Sequence, residues 1–193
     1  MLSNSLTFFC FLPIVFVLYW SVRTNLRVQN IFLLFASYVF YGWWDVRFLT
    51  LIIASTAVDF ILGKIMDTAS SSVKRKLLIS ASMIFNLGLL GVFKYYNFFL
   101  ENFVDAFSLF GMQINANSLN IILPVGISFY TFQTLSYTID VYRKKLEPTK
   151  DFMAFSAFVC FFPQLVAGPI ERATNLLPQF YKKRTFEYHK AVD

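Results

Sequence analysis

The chain alternates long apolar runs that carry almost no charge with short loops that carry most of it, and few folds accept that pattern. Residues 5–22, 28–44, 48–63, 77–93 and 121–142 form five such runs. Each lies near the roughly 20 residues that an α-helix needs to cross a bilayer core. In lipid a backbone must satisfy its own N–H and C=O groups, so an open spanning segment has to be helical. The composition agrees, with 57% hydrophobic residues, 20% aromatic, only 15% charged and 25 Phe. A mean hydropathy of +0.57 is foreign to ordinary soluble domains. The predicted class is all-α, a polytopic membrane helix bundle.

The first run contains Pro13 and ends on Tyr19 and Trp20, residues suited to the lipid–water boundary. No charged side chain precedes Arg23, so the N-terminus lacks the basic start of a cleaved signal peptide and is expected to remain as a helix. The second run closes on Tyr41, Trp43 and Trp44, and Asp45 and Arg47 mark a tight turn. Asp59 lies inside the third run. The stretch KIMDTASSSVKRK is expected to be a loop. Beyond the fourth run, Glu101, Asp105 and Ser108 share one face of a helix over about 97–110, opposite Phe99, Phe103, Phe107 and Phe110. That spacing predicts an amphipathic helix on the membrane surface, or the wetted end of the fourth span.

A net charge of +6 could point to nucleic acid, but the cations sit in clusters between apolar runs, as in the cytoplasmic loops of membrane proteins. Nucleic acid is therefore not an expected partner; the bilayer is. Loops after the first, third and fifth runs hold Arg23, Arg27, Lys64, Lys74, Arg75, Lys76, Arg143, Lys144, Lys145 and Lys150. Those after the second and fourth hold Arg47 and Lys94. Ten against two predicts an N-terminus outside the membrane and the Arg143 loop in the cytoplasm. The two cysteines, Cys10 and Cys160, lie in apolar stretches and read as packing residues, with no metal site in view.

The fifth run is two-faced. Gly126, Tyr130, Gln133, Tyr137 and Asp140 recur at steps of four and three, which places them on one stripe, with Phe132, Leu135 and Ile139 opposite. After it, DFMAFSAFVCFFPQLVAGPIER has an apolar run too short to cross, then meets Pro163, Gln164, Gly168 and Pro169. A further basic group follows in Arg172, Lys182, Lys183 and Arg184. Charge on both sides predicts that about 152–170 dips into the membrane and returns, and broken backbone at that depth survives only against protein or water. The chain ends on FEYHKAVD, which reads as the front of a larger protein.

Motifs for phosphate loops, dinucleotide folds, nucleophile elbows and HExxH metal sites are absent. The only histidine, His189, sits between Glu, Tyr and Lys in a polar tail and reads as a solvated residue. Carboxylates inside spans are costly and face the interior. Asp140, one turn before Arg143, could simply pair with it; for Asp59 a structural and a functional role are equally open. The stripe of hydroxyls and amides could be interhelical hydrogen-bonding groups or a hydrated seam.

LPVGISFYTFQTLSYTIDVYRKK, followed by FFPQLVAGPIER, resembles the membrane-bound O-acyltransferase superfamily. Its bacterial branch with the alginate O-acetyltransferase membrane subunit is the nearest likeness, and YVFYGWWD is similar to that branch too. The resemblance covers the front of such a fold and implies transfer of an acyl group, acetyl in the first instance. The donor would be a cytoplasmic thioester, acetyl-CoA or an acyl carrier, used as a substrate with no bound cofactor. The acceptor would be a hydroxyl on an exopolysaccharide, another envelope polymer or a relay protein. An extracytoplasmic acyl-relay or polysaccharide-modifying partner and a bacterial inner membrane location are implied likewise. The family's histidine base lies on a later span, so no catalytic residue is expected in this chain. Tyr130, Gln133, Tyr137, Asp140, Asp59, Pro163, Gln164, Gly168 and Pro169 become candidates for lining a passage. A transporter or flippase fragment, in which the seam conducts a solute, is the alternative from another class. Transfer of the D-alanyl or peptidoglycan type is another acyl alternative.

The charge bias has a direct test in single-cysteine labelling of intact cells. Cysteine at Ser3 is expected to react from outside and cysteine at Ser71 only after permeabilisation; the reverse pattern would overturn the orientation.

Overall fold

The computed structural model describes residues 6–43, 45–109, 126–168 and 171–185. Among these residues every regular element is a helix: α1 Leu6–Ser21, α2 Leu26–Gly42, α3 Val46–Thr68, α4 Ser72–Leu109, α5 Ile127–Tyr142, α6 Phe152–Val159, α7 Phe162–Ala167 and α8 Ala173–Leu176, then a 3-10 turn at Leu177–Phe180. The helix starts are written locally. Asn25 accepts from the N–H groups of Arg27 and Val28 at 3.1 and 3.3 Å to open α2. Asp45 accepts from Arg47 N–H at 2.8 Å to open α3. Hydrogen bonds from Arg47 to that carboxylate also hold it below the usual carboxylate range. Asp151 caps α6 in the same way.

Among the described residues two helices are long and apolar enough to cross a membrane, Val46–Thr68 and the Ser72–Tyr96 part of α4. The third span therefore runs well beyond the expected 48–63, because Lys64 and Asp67 extend toward water without ending the helix. Lys74, Arg75 and Lys76, expected in a loop, form the first turn of α4 instead. Of the two readings for 97–110, a surface helix or the end of the fourth span, the backbone follows the second: it is the far end of that single 38-residue helix. No proline interrupts it, and Gly88 and Gly91 have no atom near enough to demand a break. The side chains of Glu101 and Asp105, and residues 110–125, lie outside the described residues.

Short connections make α1 to α4 antiparallel neighbours, and α3 sits at the centre, packed on α2, α4, α5 and α6. The basic loops consequently gather at one end of the bundle. Arg75 is buried enough there to work as a clamp. It donates to Met66 O at 2.7 Å, closing α3, and to Val141 O and Tyr142 O at 3.1 and 2.8 Å, closing α5. These carbonyls have no partner within their own helices, and a guanidinium supplies both donors and the favourable charge. Lys144 (φ 58°) turns the chain out of α5, with Lys145 and Leu146 N–H both directed at Asp140 O.

The segment after α5 enters and leaves at that same end. Its α6 runs inward until Cys160; Phe162 N–H then reaches Ser37 Oγ at 3.4 Å and its ring meets Phe11. Ser37 lies eleven residues into α2, about 16 Å of helix from the basic end. From there the chain returns: Tyr181 OH bonds Thr149 Oγ1, and Asn30 Nδ2 donates to Phe180 O at 2.8 Å. Arg184 then locks the return by donating to Gln29 Oε1 and Asn30 Oδ1, with its guanidinium over the rings of Tyr19 and Phe180.

The crossing of α3 and α5 leaves no room at Gly63. A Cβ there would lie 2.8 Å from Tyr137 OH and 2.9 Å from its ring. The ring is fully buried against Phe155 and cannot retreat. Gly63→Ala is expected to destabilise the bundle by about 1–3 kcal/mol in denaturant titrations of the purified protein, whereas Gly88→Ala should not.

Candidate polar interior of the bundle

Three of the central helices carry a pair of polar residues four apart: Ser55 and Asp59 on α3, Ser82 and Asn86 on α4, Thr134 and Thr138 on α5. Helical periodicity puts each pair on one face, and all six side chains are fully buried. Asp59 is the acceptor at the centre, taking Ser82 Oγ at 2.6 Å on one oxygen and Asn86 Nδ2 at 2.7 Å on the other. Asn86 Nδ2 donates also to Ser82 O, while Asn86 Oδ1 accepts from Ser55 Oγ at 2.6 Å and Thr134 Oγ1 at 3.3 Å. Ser82 Oγ and Thr138 Oγ1 lie 3.1 Å apart. Asp59 is thus part of a closed brace between α3, α4 and α5. The carboxylate was visible in the sequence, but Ser82 and Asn86 were not singled out; two polar residues one turn apart inside an apolar run were the available signal.

The stripe on α5 is buried as well, and nearly the whole helix with it. Gln133 Nε2 donates to Phe158 O at 2.8 Å and to Gln164 Oε1 at 3.3 Å, tying α5 to both limbs of the re-entrant segment. Tyr137 accepts from Thr149 N–H at 3.2 Å and lies against Gly63. Tyr130 is fully buried, and its hydroxyl has no partner. The expected apolar opposite face is narrower than the pattern implied. Phe132 is exposed, but Leu135 is buried and Ile139 half-buried, and α8 packs on α5 with Ala173 N–H on Ser136 Oγ at 3.3 Å. Asp140 is not paired with Arg143: among the described residues the one ion pair is Asp45–Arg47, and Asp140 Oδ2 is buried without a partner.

In the broken segment, Pro163 occupies the first turn of α7, where a missing N–H is tolerated, and Gly168 ends that helix with its N–H on Gln164 O. Gly168 also needs its lack of a side chain, since a Cβ would come within 3.0 Å of Gln164 Cα and Cγ. Pro169 and His189 lie outside the described residues. Cys160, at the innermost turn, is fully buried with Tyr38 and Thr56 hydroxyls in hydrogen-bonding reach of its sulfur. Among the described residues no group of His, Cys, Asp and Glu could hold a metal ion.

The brace separates two substitutions that look alike. Asp59→Leu strands the Ser82 and Asn86 donors in apolar surroundings and is expected to lower stability by about 1–3 kcal/mol for each. Asp59→Asn can still accept from Asn86 and donate to Ser82, so thermal denaturation in detergent should place it near the parent.

No family model and no solved structure matches the chain. Curated relatives do. The chain is 40% identical over 181 residues to the "probable alginate O-acetylase AlgI" of Pseudomonas aeruginosa, covering 92% of this chain and 34% of that protein. A protein of the same name from Azotobacter vinelandii is 39% identical, again over 92% of this chain and 35% of its own length. The peptidoglycan O-acetyltransferase of Helicobacter pylori is 33% identical over 94% of this chain and 38% of its length. The chain thus spans about a third of the curated relatives it matches. Over nearly all of its length it is homologous to the alginate O-acetylases, of the membrane-bound O-acyltransferase family.

Proposed function

We propose that this chain forms the front part of a membrane-embedded O-acyltransferase. The full protein would move an acyl group, acetyl in the first instance, from a cytoplasmic thioester such as acetyl-CoA or an acyl carrier to a hydroxyl outside. The acceptor would be an exopolysaccharide, another envelope polymer or a relay protein, with the protein in a bacterial inner membrane, N-terminus outside. The observation that carries this reading is the similarity at 40% identity to proteins named for alginate O-acetylation. The relative named for peptidoglycan O-acetylation supports acetyl transfer to a hydroxyl more broadly than one polymer.

Attack of the acceptor oxygen on the thioester carbonyl carbon breaks the C–S bond, releases thiolate and sends the hydroxyl proton to a base. None of the described residues is assigned that base. Their part is positional: the brace around Asp59 fixes α5, and Gln133 on α5 fixes the innermost turn of the re-entrant segment through Phe158 and Gln164. A passage built against that turn would be walled by polar groups held in register.

In the full-length protein, Gln133→Leu and Gly168→Val are expected to lower acyl transfer by roughly tenfold or more at equal membrane abundance, since both displace Gln164. His189→Ala should leave it largely intact. The readout is acyl groups on the extracytoplasmic product; loss with His189→Ala alone, with both other variants silent, would overturn the reading.

A further inference from the structure

The turn that joins α3 to α4 and the turn that leaves α5 enclose a recess of about 470 Å3. That volume lies within the roughly 300–1,000 Å3 of small-molecule sites. Asp67 and Arg75 line it from one side, Lys144 and Glu147 from the other, with Val141 and Leu146 as apolar wall. Two cations and two carboxylates thus share one recess, yet none pairs with another: among the described residues the one ion pair is Asp45–Arg47. The Arg75 guanidinium is held by the carbonyls of Met66, Val141 and Tyr142, which fixes it between the two turns without neutralising it.

A second observation concerns the backbone of Lys144. Lys145 N–H on Asp140 O at 2.9 Å and Lys144 N–H on Val141 O at 3.1 Å form the paired bonds of a Schellman end to α5. In that arrangement the residue after the cap takes the left-handed conformation, here with φ 58°, which glycine adopts at least cost. Lysine is a poor conformational choice there. Nor is its charge needed to complement the helix end, because Arg143 and Lys145 flank it. The side chain that this strained backbone sets in place lines the recess.

Charges of both signs held apart suit a ligand that also carries both. A simple anion would face Asp67 and Glu147, and a simple cation would face Arg75 and Lys144. A phosphodiester bearing a primary ammonium satisfies both pairs: Arg and Lys donate to phosphate oxygens, and carboxylates accept from the ammonium. Position in the fold gives the source. Among the described residues α3 and α4 are the helices long and apolar enough to cross a membrane, and this is the turn that joins them. A bilayer crossed by both ends beside the recess.

We propose that this recess binds the headgroup of a zwitterionic phospholipid of the phosphatidylethanolamine class, its phosphate toward Arg75 and Lys144 and its ammonium toward Asp67 and Glu147. The proposal needs the membrane helices but not the acyl-transfer reading.

The test uses the full-length protein purified in detergent, read by native mass spectrometry and by thermal midpoint. The probes are dioleoyl phosphatidylethanolamine, phosphatidylglycerol of the same chains, soluble glycerophosphoethanolamine and acetyl-CoA. The parent should retain the ethanolamine lipid roughly fivefold better than the glycerol lipid, and its midpoint should rise with the former alone. Asp67→Asn combined with Glu147→Gln should reverse that preference, since the two cations remain. Lys144→Gly should keep or raise the midpoint without lipid, because glycine suits the backbone, yet lose the lipid-dependent gain. Equal retention of both lipids by the parent, or a lipid response that either variant leaves unchanged, would overturn the proposal. No lipid effect at all, as when the rest of the full-length protein fills the recess, would overturn it too. So would equal protection by glycerophosphoethanolamine, or displacement of the lipid by acetyl-CoA, either of which assigns the recess to a soluble ligand.

Discussion

A carboxylate buried among three apolar helices constrains this bundle more than any other group. Asp59 has no solvent and no counter-cation among its hydrogen-bond partners, so its oxygens must be met by neutral donors at short range. Ser82 and Asn86 provide them, and their remaining capacity is met in turn by Ser55, Thr134 and Thr138. Each participant fixes the rotation of its helix about its own axis. Apolar packing alone tolerates rotation far better than a network in which one lost partner strands the next.

With α3, α4 and α5 set, the rest of the chain docks by a second rule. Helix ends leave carbonyls exposed, and here two arginines draw distant ends together. Arg75 joins the ends of α3 and α5, and Arg184 brings the returning segment onto the start of α2. Cations that cluster in the sequence between apolar runs therefore act as fasteners in the fold. Between those fastened ends the re-entrant segment reaches half-way into the bundle and is gripped there by Gln133 and Ser37.

This arrangement gives the polar residues distinct roles. Those on α3 and α4 are spent on each other and hold the frame. Those of α5 facing α6 and α7 hold an irregular backbone inside the bundle, whose polar groups the surrounding protein must satisfy. Among the described residues the interior also keeps unmatched hydroxyls, at Tyr41, Tyr130, Thr131 and Ser156.

The sequence by itself determined the helical class, the starts of α2, α3 and α6, and the gathering of basic residues in alternate loops. Those features depend on short-range chemistry: apolar run length, Asn and Asp caps, and charge. It also marked Gln133, Tyr137 and Asp59 as inward-facing, because a polar side chain in an apolar run has few places to go. Only the tertiary structure decided what they face. Asp59 meets donors 23 and 27 residues away, and Arg184 meets Asn30 across 154. No periodicity records such partners. It likewise decided between the two readings of residues 97–110, in favour of the far end of the fourth helix, and showed that Asp140 does not pair with Arg143 and that Leu135 is buried. Helix length and burial depend on which neighbour arrives, and the neighbour arrives from elsewhere in the chain.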